Sequence, residues 1–119
     1  PETFDVLVAP NLYGDIVSDL CAGLVGGLGF APSGNIGDEY RIYEAVHGSA
    51  PDIAGQNIAN PSALLLAFAL MLEDLGNIEA AKTLRDALAK VVEKQEVVTP
   101  DIGGHASTTE FVQAIIDEL

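Results

Sequence analysis

The sequence predicts an α/β fold, and three observations carry the prediction. Two short runs, Thr3–Ala9 and Arg41–Val46, have the length and apolar content of strands. Longer stretches repeat apolar residues at helical spacing, giving the order strand, helix, strand and then three helices. The visible strands are too few to make a stable sheet around the very apolar helix predicted at 62–75. The missing strands are therefore expected from elsewhere, either another part of the same polypeptide or a partner.

Each element has a local reason. Phe4–Ala9 is an apolar run, interrupted by Asp5, that reads as a buried strand, and Pro10 and Asn11 end it. Gly14–Leu24 has helical spacing, and the glycines at 23, 26, 27 and 29 weaken and then stop it. Ala31–Tyr40 is rich in turn residues and is expected to be a loop. Arg41–Val46 is the second strand. His47–Asn60 carries Gly48, Pro51 and Gly55 and reads as loop.

Asn60 then suits an N-cap and Pro61 the first helical position of Ser62–Leu75. That helix is apolar nearly all round and is expected to be buried on most sides. Gly76 ends it, and Asn77 is placed to cap Ile78–Lys94. Val97–Thr99 is a candidate short strand, and Asp101–Ala106 a glycine-bearing loop. Ser107 with Glu110 has the form of a capping box for a last helix, Thr109–Leu119.

Composition narrows the function classes. Hydrophobic residues make up 49% of the 119 and only six are Pro, so the chain is expected to fold around a core. The net charge is −13, from 18 acidic and five basic residues. Four of the basic residues, Lys82, Arg85, Lys90 and Lys94, fall in one predicted helix, so no basic stripe is available for phosphates. Nucleic acid and an anionic membrane surface are both excluded as expected partners. The lone Cys21 allows no internal disulfide and fits a reducing compartment. Its apolar surroundings predict a buried, inert thiol. The longest apolar run, Ala63–Leu72, is far short of the ~20 residues that span a bilayer. The chain begins with Pro1, so a processed or truncated product is expected.

Three constellations could carry chemistry. Asp15 and Asp19 are four apart, which on a helix puts both carboxylates on one face, about 6 Å apart along the axis. Their mutual repulsion is relieved by a hard divalent cation such as Mg²⁺ or Mn²⁺. The competing reading is a helix start that the macrodipole favours as acidic. The second constellation is Glu44-Ala-Val-His47-Gly-Ser-Ala-Pro-Asp52-Ile-Ala-Gly55, followed by Asn60. Its small residues let phosphates approach the backbone, and Asp52 could accept hydrogen bonds from a ribose diol while repelling a 2′-phosphate. It is not a GxGxxG fingerprint, and a plain turn with an exposed Asp remains the alternative. The third, Thr99-Pro-Asp101-Ile-Gly103-Gly104, either lines the same pocket or turns into the last helix. His105 reads as a polar loop residue.

These motifs, with Pro32-Ser-Gly-Asn-Ile-Gly37 between the first two, occur in an order that resembles the C-terminal third of the β-decarboxylating dehydrogenases. That family comprises the isocitrate, isopropylmalate and homoisocitrate dehydrogenases, and Pro32–Gly37 and Glu44–Val46 look most like its NAD-dependent isocitrate branch. The resemblance covers essentially the whole chain. It implies a fragment of a two-domain fold: residues 1–25 end a small dimer-forming domain, and residues 26–119 belong to the large cofactor domain.

The resemblance also implies roles. Asp15 and Asp19 match two metal-binding aspartates. His47, Gly48, Ser49, Ala50 and Pro51 match a loop around the adenosine side of the cofactor. Glu44 matches a residue near the nicotinamide end, Asp52 and Ile53 the positions that recognise the ribose in NAD users, and Asn60 an adenine contact. NADP users carry Lys and Tyr at the positions of Asp52 and Ile53, and Tyr and Arg at those of Pro100 and Gly104. The cofactors implied are thus NAD and Mg²⁺ or Mn²⁺.

The family's substrate-binding arginines, catalytic tyrosine and lysine, and third metal-binding aspartate have no match here. The expected function is oxidative decarboxylation of isocitrate by a longer parent, a homo-oligomer in the cytoplasm, or in the mitochondrial matrix of a eukaryote. The alternatives are the same chemistry on isopropylmalate or homoisocitrate, a non-catalytic regulatory subunit, or a free-standing nucleotide-binding module.

Overall fold

The computed structural model describes residues 3–119. Helix α1 (Asn11–Leu24) follows an irregular segment and leads through a 3₁₀ turn, Leu28–Phe30, into strand β1 (Pro32–Ile36). Strand β2 (Arg41–Ala45) returns antiparallel, pairing Pro32 with Ala45 and Asn35 with Ile42. A long loop then runs to helix α2 (Ser62–Asp74). Helix α3 (Ile78–Lys94) and helix α4 (Thr108–Asp117) complete the chain.

The sheet lies against α2, and α3 packs on α2 from one side and on α4 from the other. Alanines line the α2–α3 contact: Ala69, Ala81 and Ala87 are all 1% exposed or less. Short side chains at a helix contact let the axes approach closely. Larger groups fill the space where α3 meets α4, with Leu84, Leu88, Val91, Val98, Phe111 and Ile115 forming one cluster. The sheet is tied to the end of α2 by charge. Arg41 pairs with Asp74, and Tyr43 donates its hydroxyl to the same carboxylate. The Arg41 hydrogen bond, then that of Tyr43, holds the Asp74 carboxyl below its ordinary range.

Helix ends follow the local signals closely. The Asn60 Oδ1 accepts the Ser62 N–H at 2.9 Å, but the N-cap falls on Pro61, one residue later than the sequence puts it. Gly76, at φ +82, ends α2 in a conformation that glycine adopts without Cβ strain. Ser107 Oγ accepts from the Glu110 N–H at 3.2 Å while Glu110 Oε2 accepts from the Ser107 N–H at 2.8 Å, the two halves of a capping box. Asn77 occupies the N-cap of α3 but makes no side-chain cap bond, contrary to expectation.

The box gives a test. The Ser107 backbone N–H, and then its hydroxyl, hold the Glu110 carboxyl below its ordinary value. Because the folded pKa lies below the unfolded one, the stabilisation is present above the ordinary carboxylate pKa and is lost as pH falls through the depressed value. Ser107→Ala should cost about 1 kcal/mol at neutral pH. Urea midpoints should also show a weaker acid dependence in that variant than in the parent.

Five expectations are corrected. Thr3–Ala9 forms no strand: Phe4, Leu7 and Val8 are 64–94% exposed, and among the described residues no neighbouring strand takes up the segment's backbone groups. Pro32–Ile36 is a strand and not a loop. Its turn-prone residues are held extended by pairing with β2, and Pro32 sits at the strand start, where it is tolerated. Val97–Thr99 is not a strand. It is held by turn-like bonds, with Gly104 N–H to Thr99 O at 3.1 Å and Ala106 N–H to Val98 O at 3.0 Å. The α2 helix is buried on one face only, with Leu64 and Phe68 60% and 46% exposed. Cys21 is exposed, because α1 packs chiefly on the Leu28–Phe30 turn and leaves most of its surface uncovered.

The expected incompleteness of the sheet is borne out. Its two strands have no further neighbour among the described residues, and α1 exposes Leu12, Ile16, Leu20 and Leu24. No helix among them is long and apolar enough to cross a membrane.

Candidate functional site

The loop between β2 and α2 is built of small residues and local bonds. His47 Nδ1 lies 2.9 Å from Gly48 O, a bond in which the ring N–H donates to the carbonyl. Ala50 takes up a left-handed conformation (φ +43, ψ 62) that turns the chain into a short 3₁₀ segment, Pro51–Ile53. A non-glycine residue there is uncommon and carries a steric cost. The Gln56 side chain donates to Asp52 O at 2.7 Å and closes the turn.

The far end of the loop is clamped by the start of α4. The Thr108 N–H donates to Asn57 O at 2.8 Å, Thr108 Oγ1 donates to Ala59 O, and Thr109 Oγ1 donates to Asn57 Oδ1 at 3.0 Å. Asn57 itself is at φ +57, a region that Asn visits more readily than most residues. Asn60 is held on both sides. Its Oδ1 accepts from Ser62, and its Nδ2 donates to Asp101 Oδ2 at 2.9 Å.

These contacts enclose a cleft of about 870 Å³, a size that suits a cofactor. Its walls come from the loop and from two other parts of the chain: the turn at Leu28 and Gly29, and Asp101 and Thr108 near the start of α4. A Cβ built on Gly48 or Gly55 would meet no atom within 4 Å, and both line the cleft, so backbone is open to close approach there. Such a lining suits the phosphates and apolar faces of a dinucleotide.

Of the sequence-predicted cofactor residues, His47, Gly48, Ser49, Ala50, Ile53 and Asn60 line this cleft. Glu44, Pro51 and Asp52 do not. Glu44 sits on β2 and accepts a hydrogen bond from Asn35 Nδ2 at 2.8 Å. Asp52 is exposed beside the cleft, and its carboxylate takes no bond among the described residues. The segment around Asp101 was open to two readings, and the structure puts Asp101 in the wall. Leu28, Gly29 and Thr108 are remote in sequence and carry no motif, and Asn57, though within the loop, falls between its two motif segments, so none of the four is singled out by sequence. His105 is an exposed loop residue, as expected.

Asp15 and Asp19 lie one turn apart on α1, both exposed. Neither carboxylate is engaged by another described side chain. The only local bond is from Ser18 Oγ to the Asp15 backbone carbonyl, at 3.0 Å. Two free, acceptor-only carboxylates suit a hard divalent cation, but they fill only part of its shell. Among the described residues no three His, Cys, Asp or Glu groups converge on one point.

The fold and the cleft define the class, a partial α/β unit whose two-stranded sheet stands beside a loop-walled cleft. It matches an isocitrate dehydrogenase from Methylococcus capsulatus at TM-score 0.94 and 48% identity, over 98% of this chain and 35% of that one. The chain belongs to the isocitrate/isopropylmalate dehydrogenase family, whose model matches residues 1–115. It is 58% identical over its full length to the isocitrate/homoisocitrate dehydrogenase of Thermus thermophilus and covers 35% of that protein. It is 57% identical to a mitochondrial catalytic subunit of the NAD isocitrate dehydrogenase of Arabidopsis thaliana, covering 32%. The chain thus spans about a third of the length of these relatives.

Proposed function

We propose that this chain is part of an NAD-dependent dehydrogenase that converts isocitrate to 2-oxoglutarate and CO₂. The observation that carries the reading is the cleft that the 47–60 loop forms with Asp101, in a chain more than half identical to relatives named for this chemistry. Gly48, Ser49 and Ala50 offer backbone to the adenosine side of the cofactor, and Asn60 offers its amide to the adenine. Asp52 and Ile53 lie where the ribose is read, and the Asp52 charge disfavours a 2′-phosphate. Glu44 lies toward the nicotinamide end.

Asp15 and Asp19 supply two of the carboxylates for a divalent ion. When bound, Mg²⁺ or Mn²⁺ supplies Lewis acidity toward the substrate hydroxyl and the charge left as CO₂ departs. We further infer that residues 1–25 end a small, dimer-forming domain and residues 26–119 belong to the large one. The packing of α1 chiefly on one turn, apart from the core around α3, supports that division. The complete enzyme is then a homo-oligomer, in the cytoplasm or the mitochondrial matrix.

The test is a substrate panel on the complete gene product. Isocitrate with NAD and Mg²⁺ should give the highest kcat/KM among isocitrate, homoisocitrate and isopropylmalate, each tried with NAD and NADP. Chelation of the metal should abolish turnover, and the isolated 119 residues should show none above blank. A preference for NADP, or turnover by the isolated chain, would sink this reading. Homoisocitrate is the second candidate substrate, because the Thermus thermophilus relative is named for both acids.

A further inference from the structure

We propose that Asp101 reads the base of the cofactor, selecting a 6-amino purine over a 6-oxo purine. The proposal rests on the reading that the cleft holds the adenosine half of NAD.

The starting point is the orientation of the Asn60 amide. Its Oδ1 accepts from the Ser62 backbone N–H at 2.9 Å and from Ser62 Oγ at 2.6 Å. A backbone N–H can only donate, so the oxygen must face the helix and the nitrogen must face Asp101. The Nδ2 then spends one hydrogen on Asp101 Oδ2, at 2.9 Å. Its second hydrogen, and the other oxygen of Asp101, have no partner among the described residues. Both side chains line the cleft. Gly29 backs the pair closely, since a Cβ there would lie 3.4 Å from Asp101 Oδ2 and 3.7 Å from Asn60 Nδ2. The wall therefore presents one fixed donor next to one fixed acceptor.

That pair complements one edge of adenine. The N6 amine donates and the adjacent N7 accepts, whereas a 6-oxo purine offers two acceptors, O6 and N7, along the same edge. Adenine satisfies both wall groups, with N6–H to Asp101 and Asn60 Nδ2–H to N7. Hypoxanthine in the same pose sets its O6 against the carboxylate and leaves Asp101 unpaired. A site built to hydrogen-bond one group strongly rejects the analogue that lacks it.

The test compares NAD with nicotinamide hypoxanthine dinucleotide on the complete enzyme. The wild type should favour NAD by about tenfold or more in kcat/KM. In D101N the amide oxygen can still accept from Asn60 while its NH₂ now faces the base and suits O6. The NAD preference should therefore fall by at least about tenfold, toward or past equality, through KM. The KM for the acid substrate should stay within about twofold, so that the change is confined to the dinucleotide.

A merely structural role for Asp101 would lower the efficiency with both dinucleotides alike, and that result would overturn the proposal. Equal use of both by the wild type would overturn it too, without recourse to any variant. Failure of the wild type to use either would overturn the NAD reading itself, and this proposal with it.

Discussion

Asp15→Asn in the complete enzyme should lower kcat by about 10²-fold or more while leaving the folded structure intact. The side chain is exposed and engages no other described group, so its removal opens no cavity and breaks no packing. What changes is charge: a carboxylate that can only accept becomes an amide of weaker affinity for a hard cation. The apparent affinity for Mg²⁺ should weaken together with kcat, and excess Mg²⁺ should recover part of the loss. Asp19→Asn should behave alike, because the two sit one turn apart on the same face. Metal titrations of the initial rate, beside a thermal melt of each variant, separate this outcome from misfolding. An unchanged rate in Asp15→Asn would favour a non-catalytic regulatory subunit over the proposed enzyme.

Gly104→Ala should destabilise the fold by about 3 kcal/mol or more. Backbone torsion is not the cause, since Gly104 is not among the residues at positive φ. Space is the cause. A Cβ at this position would lie 2.6 Å from both the carbonyl carbon and the Cγ2 of Val98, and closer still to the Val98 oxygen. The obstacle is backbone, so no rotamer change can relieve it. The Val98 carbonyl is also fixed by the Ala106 N–H, and Val98 is 1% exposed in the core. Urea unfolding of the variant should show a lower midpoint with an unchanged m-value. A midpoint equal to that of the parent would show that the 98–106 turn can yield. The same crowding implies that no larger side chain fits at 104 while this turn keeps its shape.

Much of the fold was legible because its signals are local. The α3 boundaries follow from apolar spacing, the start of α4 from the Ser107/Glu110 box, and the start of α2 from Asn60 and Pro61. Each such signal is settled within a turn or two of helix, whatever the rest of the molecule does. Strands were read less well. Pro32–Ile36 has the composition of a loop and becomes a strand only through its partner β2. Thr3–Ala9 has the composition of a strand and, among the described residues, has no partner to make it one. The exposure of Cys21 has the same origin, for an apolar helix is buried only where something covers it.

The candidate site divides in the same way. The sequence by itself determined the family, the carboxylate pair on α1 and the small-residue loop from His47 to Asn60, since these lie within contiguous motifs whose chemistry is written in residue type and spacing. Only the tertiary structure decided which residues share the cleft. It set Asp101 against Asn60, which lies 41 positions away in sequence, brought in Gly29 and Thr108, and left Asp52 and Glu44 outside the wall. Spacing fixes which groups share a helix face or a turn, but contacts between distant segments depend on how helices and sheet pack, and no short stretch of sequence encodes that.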